Sequence, residues 1–438
     1  MKKYLVLVAV ALSVGFTACD DDEDVIKPVV SIVNESEVNS VAQLDTLYLK
    51  AKMENVPAGT KSVWTVNGKE VSTSSSYKFT QPKPGEYAIG LAMADVNGEK
   101  IQSVMTAKVY ARFGKGAFVL NEGNMTNETG TLGFIDRNGV LVDSAYYRVN
   151  QSLLGAVCQD MFIANNKVYI LSQNGAKNGG EGLLTIANAE TLEKELIYND
   201  DANKLSWPTH LAAVGENIYI RDNNGVQVLN ASTKEIVTID GSRGIAKNHM
   251  VTIGGKVFAI NGKKICVIQD KAIVKTIELS GSLSGLARAY DGNLWASCTS
   301  PGQIMKINPE DYSVIDTHTL NVSVSNNYGS APAIAAREDT LYFCQGASTL
   351  YRHIFKEDKT ETVANIQEYL PDAKTYYNSL GVDPESGKVY LATLKGWGQD
   401  YKINDIGIFD FSRTPAMQQD YKNKNSFPAG VYFTANFE

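Results

Sequence analysis

Seven times between Ala117 and Ala392 the chain sets an aromatic residue in the middle of a short apolar run: AFVLN, KVYIL, NIYIR, KVFAI, NLWAS, TLYFC and KVYLA. The aromatics are Phe118, Tyr169, Tyr219, Phe258, Trp295, Tyr342 and Tyr390, spaced 51, 50, 39, 37, 47 and 48 residues apart. A turn and a second apolar run follow each, as in TLGFID, GVQVLN and DIGIFD. A more polar third run, such as KEIVTI, usually comes next, and another, such as THLAAV or PAIAA, precedes each aromatic one. Four short strands repeated every ~40–50 residues is the pattern of a β-propeller, whose blades bury their faces only against their neighbours. Seven units are countable. The first has no run ahead of it, and AGVYFTANF at the C-terminus can supply the missing strand and remove an open sheet edge. The expected fold is all-β, with a seven-bladed propeller over residues 113–438 closed by the C-terminal strand.

Residues 28–112 carry a different pattern. SVWTVNGKEV reads as strand, Asn67–Gly68 turn and strand, and the device returns around Asn97–Gly98. Trp64 and Tyr87 are the expected core aromatics. The segment resembles the PKD-like and immunoglobulin-like β-sandwiches of surface lipoproteins, and its two readings are a spacer that lifts the next domain off a membrane and a second binding module.

The N-terminus sets an address. Lys2 and Lys3 precede the apolar run YLVLVAVALSVGF, too short and too N-terminal to read as a spanning helix. FTAC then puts small residues before Cys19, which resembles a bacterial lipobox. Residues 1–18 are therefore expected to be a signal peptide and Cys19 a lipid anchor. Five acids, Asp20 to Asp24, open a tether over residues 19–27 that cannot pack on itself. An acidic run there resembles the export signal of Bacteroides-type surface lipoproteins, implying the outer membrane's exposed leaflet.

The 438 residues carry a net charge of −7 and no stripe of Lys and Arg, which argues against a nucleic-acid partner. Cys158, Cys266, Cys298 and Cys344 lack CxxC spacing and lie in or beside apolar runs, as buried thiols do. GxSxG, HExxH, P-loop and post-strand GxGxxG motifs are absent, and the whole chain has four histidines. Neither an enzyme nor a cofactor is expected.

Loop lengths locate the functional face. The connection from second to third strand is about ten residues long in the first repeat (NEGNMTNETG), the second (SQNGAKNGGEG) and the seventh (LKGWGQDYKIN). In repeats three to six it is about three to five. Repeats seven, one and two are neighbours in a closed ring, so the three long loops should form one wall. Asn121, Glu122, Asn124, Gln173, Asn174, Trp397 and Tyr401 are its candidates for ligand contact. The links between blades add Trp207, Tyr328, Tyr376 and Tyr377. Amides mixed with aromatic faces suit a large, polar, uncharged ligand, and sugars and corrinoids both fit.

Aligning the inner strands puts Asp160, His210 and His249 at one equivalent position in repeats two, three and four, with Gly285, Ala333 and Ser379 there in repeats five to seven. These residues could contact a ligand, hold water or neighbouring backbone, or ligate a metal. No metal is assigned.

FVLNEGN, GTLGFID and WPTHLAAVGENIYI resemble the YncE-like surface propellers of Bacteroides-type bacteria, over Phe113 to the C-terminus. That group includes BtuG-like lipoproteins. The resemblance implies a surface lipoprotein that captures a nutrient, cobalamin in the BtuG-like members, and passes it to a TonB-dependent transporter. A glycan-binding lipoprotein, a propeller lyase or hydrolase, and a structural or adhesive protein are the alternatives.

Overall fold

The computed structural model describes residues 27–57, 59–94, 98–200, 204–325 and 332–436. Cys19, the acidic run, Asn97 and Tyr328 lie outside the described residues. The chain divides into two compact units, the second beginning near residue 109 and also taking in residues 40–45 and 80–85.

The first unit has two antiparallel sheets. One orders Val29–Asn34, Leu47–Glu54 and Ser76–Phe79. The other is five-stranded and includes, side by side in this order, Lys100–Tyr110, Gly85–Ala94, Val63–Val66 and Lys69–Ser72. Asn67 and Gly68 both take positive φ, the geometry that matches a two-residue hairpin to strand twist. Trp64 is fully buried and donates its indole N–H to the Ser74 carbonyl at 2.8 Å. Tyr87 meets Phe79 edge-on rather than filling the centre, a place taken by Phe79 and Leu47.

The second unit is propeller-like. Among the described residues it holds seven four-stranded antiparallel sheets, here numbered in chain order. Sheet 2 shows the pattern: Cys158–Ala164, Lys167–Ser172, Leu184–Asn188 and Lys194–Tyr198 pair in sequence. Tyr169 sits at its centre, opposite Phe162 on one side and Ile186 on the other. Tight turns join the first two strands where two successive residues tolerate the left-handed region, Asn165–Asn166 in sheet 2 and Gly254–Gly255 in sheet 4.

In sheet 1 the innermost strand is Pro428–Phe433, paired antiparallel with Gly116–Asn121. The innermost strands contact one another in succession, from Cys158–Ala164 through Leu380–Val382. Pro428–Phe433 touches both of these. Together the inner strands line a cavity of about 790 Å³ whose wall includes Met161, Ala213, Val251, Val382 and Val431.

Two features depart from the repeat. The fourth strand of sheet 1 is only Leu141–Val142, and a helix, Ala145–Asn150, follows it. Tyr146 and Val149 of that helix pack with Phe113, Phe118 and Phe134, which replaces the apolar cover a longer strand would give. The four cysteines named above are free and buried.

Candidate ligand-binding face

The long loop of sheet 1 begins with a forced turn. Gly123 has φ +77, and a Cβ there would lie 2.1 Å from the Thr129 carbonyl oxygen, so the loop folds back on itself only with glycine. Asn124 closes the next turn, its Oδ1 accepting from the Thr126 N–H at 2.8 Å. The loop then meets the long loop of sheet 2, where the Asn178 amide donates to the carbonyls of Asn124, Met125 and Glu128 at 3.1–3.5 Å. It meets the long loop of sheet 7 through Tyr401, whose hydroxyl donates to Glu128 at 2.8 Å. Ser426 donates to the other oxygen of Glu128, also at 2.8 Å. Three loops widely separated in sequence thus share one carboxylate and one amide.

Aromatic rings cover the sheet 7 side. Phe427 is sandwiched between Trp397, 5.6 Å away and near-parallel, and Tyr401 at 4.7 Å. Tyr377 meets Trp397 edge-on at 5.7 Å. Trp397 is 48% exposed, so this stack still presents a face to solvent.

Beneath the loops lies a set of ionisable side chains. Tyr377 donates to Glu122 at 2.6 Å. Burial pushes the Glu122 carboxyl up to about 7, against the opposing pull of Tyr377, Lys247 and Gln159. Burial also holds the Lys247 ammonium below its ordinary value, with Glu122 acting against the shift. Arg221, lowered in the same way, donates to the Ile245 carbonyl at 3.0 Å.

Asp160, His210 and His249 come together at the start of the inner strands. The two imidazoles meet edge-to-face at 5.2 Å. Asp160 is buried, yet both its oxygens are engaged. Oδ1 accepts from the Met161 N–H at 2.9 Å and the Tyr432 hydroxyl at 2.7 Å, and lies 3.2 Å from His249 Nδ1. Oδ2 accepts from the Leu211 N–H at 3.0 Å. Burial would raise this carboxyl, but His249, His210 and the Leu211 N–H outweigh it and hold it below its ordinary value. The donors come from separate strands, so the carboxylate acts as a latch between them. Burial drives His210 down to about 3, and its Nδ1 is buried without a partner.

Several expected contacts lie elsewhere. Tyr376 is a correction: it turns into the core beside Leu380 and Leu391, its hydroxyl on the Ala373 carbonyl, while Tyr377 faces the loops. Asn121 is buried at the strand end, with its amide on Thr131. Tyr401 is buried in the stack rather than exposed. Gln173 and Asn174 anchor their loop through backbone N–H groups on Val157 and Ala156. Trp207 is 57% exposed at φ +53. Sequence reasoning missed Glu128, Gln159, Arg221, Lys247 and Phe427. Two of these had a readable signal, since Gln159 adjoins Asp160 and Lys247 lies two residues before His249.

Residues 115–434 match the family described as Domain of unknown function (DUF5074). The chain belongs to the DUF5074 family. Residues 27–95 match the PKD-like domain ahead of the DUF5074 unit. No functionally curated protein matches in sequence. Among solved structures, a quinonprotein alcohol dehydrogenase-like protein from Bacteroides thetaiotaomicron is similar at 17% identity and TM-score 0.60, over 90% of this chain and 96% of that one. PorZ, a surface component of the type-IX secretion system of Porphyromonas gingivalis, aligns at 12% identity and TM-score 0.41, over 78% of this chain and 44% of that one. A Bacteroides thetaiotaomicron protein of unknown function aligns at 14% identity and TM-score 0.34, over 85% and 97%. At these identities the first likeness concerns the fold alone.

Proposed function

We propose that this DUF5074 protein is a cell-surface lipoprotein, anchored at Cys19, that captures a large polar nutrient without turning it over. In this reading the seven sheets are the blades of one propeller, closed by Pro428–Phe433, and the PKD-like unit is its spacer. The observation that carries the proposal is the fusion of three long loops over the Glu122, Lys247 and Tyr377 set, beside the Trp397–Phe427–Tyr401 stack. Such a face offers a ring a surface to stack on and offers its rim both donors and acceptors. Preorganisation limits the ordering cost of binding, so a rigid face can retain a ligand tightly with no chemistry. The ligand class we favour is a corrinoid, delivered to a TonB-dependent transporter.

The test is direct. Purified protein incubated with cobalamin and then desalted should stay coloured, with saturable calorimetric heat at one equivalent. A colourless protein without heat rejects the corrinoid. Saturable heat with an oligosaccharide instead would keep the face and change the ligand class to a glycan.

A further inference from the structure

The four histidines of the chain form two touching pairs. One is the latch around Asp160. The other joins sheets 5 and 6, far from the loop face in sequence. His318 lies on Val314–Thr319, the outer strand of sheet 5, and His353 on Thr349–Ile354, the third strand of sheet 6.

The second pair is built differently. His318 Nδ1 and His353 Nε2 are 2.9 Å apart, and Asp358 Oδ1 is 3.2 Å from the same His318 nitrogen. One proton can sit among these three atoms. The other nitrogen of each ring is held by an oxygen: His353 Nδ1 by Thr360 Oγ1 at 2.9 Å, and His318 Nε2 by Asp316 Oδ2 at 3.4 Å. That is the outer-shell arrangement that fixes the tautomer and orientation of metal-ligating imidazoles. Phe355 stacks on His318 at 4.0 Å and backs onto Trp295 at 4.6 Å, so the rings rest on a fixed apolar wall. His353 is fully buried, whereas the Asp358 side chain is 69% exposed, which leaves an entry path on one side.

We propose that His318, His353 and Asp358 form a binding site for a divalent transition metal such as Zn²⁺, clamping sheet 5 to sheet 6. Two imidazole nitrogens and one carboxylate oxygen suit a borderline-soft ion, with solvent completing a tetrahedron. Ligand atoms about 2.0–2.1 Å from Zn²⁺ in a tetrahedron stand about 3.3 Å apart. The observed 2.9 and 3.2 Å need to open by only a few tenths of an ångström. The ion replaces the shared proton, which leaves to solvent. Asp160 differs in that the N–H groups of Met161 and Leu211 and the Tyr432 hydroxyl already engage its two oxygens within 3.0 Å.

The test uses untagged purified protein, stripped with chelator and titrated with Zn²⁺ in a calorimeter and with Co²⁺ by visible absorption. One equivalent should bind, with the absorption bands of tetrahedral Co²⁺ and a raised thermal midpoint. Asp358→Asn and His318→Gln should each weaken binding tenfold or more with the circular dichroism spectrum unchanged, while His249→Gln should leave it intact. Folded wild-type protein with no saturable binding overturns the proposal. So does binding that survives both variants, or binding lost only in His249→Gln.

Discussion

Tyr432, in the last strand of the chain, donates its hydroxyl to Asp160, 272 residues earlier, at 2.7 Å. The same carboxylate holds the Leu211 N–H and lies beside His249, so three inner strands and the link leading into a fourth meet on one side chain. A hydrogen bond to a charged group contributes about 1.5–3 kcal/mol. Tyr432→Phe should lower unfolding free energy by about that amount in urea titrations, and Asp160→Ala by more, since it strands buried donors. Two variants as stable as wild type would show that the latch contributes nothing.

Low pH should loosen the same cluster. The unfolded chain takes up a proton at His210 near its ordinary 6.5, which the folded protein accepts only near 3. This contribution is therefore complete above about 6.5 and declines as pH falls toward 3, with a slope of at most about 1.4 kcal/mol per pH unit. Asp160, lowered from 3.8, adds a further loss below that value. Urea midpoints of His210→Gln should fall less steeply than wild type between pH 6.5 and 4. Parallel curves would contradict the assignment.

Glu122 works in the opposite direction. Its carboxyl, raised from 4.5 to about 7, favours the folded state fully at low pH, and that advantage is lost as pH rises through 7. Glu122→Gln should therefore gain stability over wild type between pH 4.5 and 7, with a constant difference above. Thermal melts at pH 4.5, 6 and 8 measure it, and a difference independent of pH would refute the shift.

Trp207 is exposed, so truncating it should cost little stability, whereas truncating Trp397 also removes its contacts with Phe427 and Tyr377. If both anchor the ligand, Trp207→Ala and Trp397→Ala should each weaken binding by ~1–3 kcal/mol, read by calorimetry with whichever of cobalamin or the oligosaccharide gives saturable heat. Unchanged affinity in both moves the site off this face.

Gly123→Ala tests the loop itself. A Cβ at φ +77 against the Thr129 carbonyl forces the backbone to move, at a cost of about 1–3 kcal/mol. The cost should appear as faster proteolysis within residues 122–130, with the sheets still protected. Cleavage no faster than wild type would mean the turn is not constrained as described.

Much of this site was legible because strands obey a rule of two. The aromatic at the centre of each second strand fixes the register of its neighbours, so counting back two residues from the partners of Tyr169, Tyr219 and Phe258 finds Asp160, His210 and His249. Loop length was legible as well, and it pointed to the segments that Asn178 and Tyr401 tie together. Tyr376 and Tyr377 were not separable, because in a link without regular dihedrals nothing local says which of two adjacent rings turns inward. Phe427 carried no signal, since it belongs to no repeat, and Glu128 stood in the long first loop with nothing along the chain to single it out.

The sequence by itself determined the repeat, the strand order and the positions where loops lengthen, because these follow from side-chain period and turn chemistry along the chain. Only the tertiary structure decided that Asp160 is buried among backbone and hydroxyl donors while Asp358, beside His318 and His353, opens to solvent. Both groups are two histidines and an aspartate. Their difference lies in which backbone and hydroxyl donors the packed strands bring within 3 Å, and no spacing along the chain encodes that.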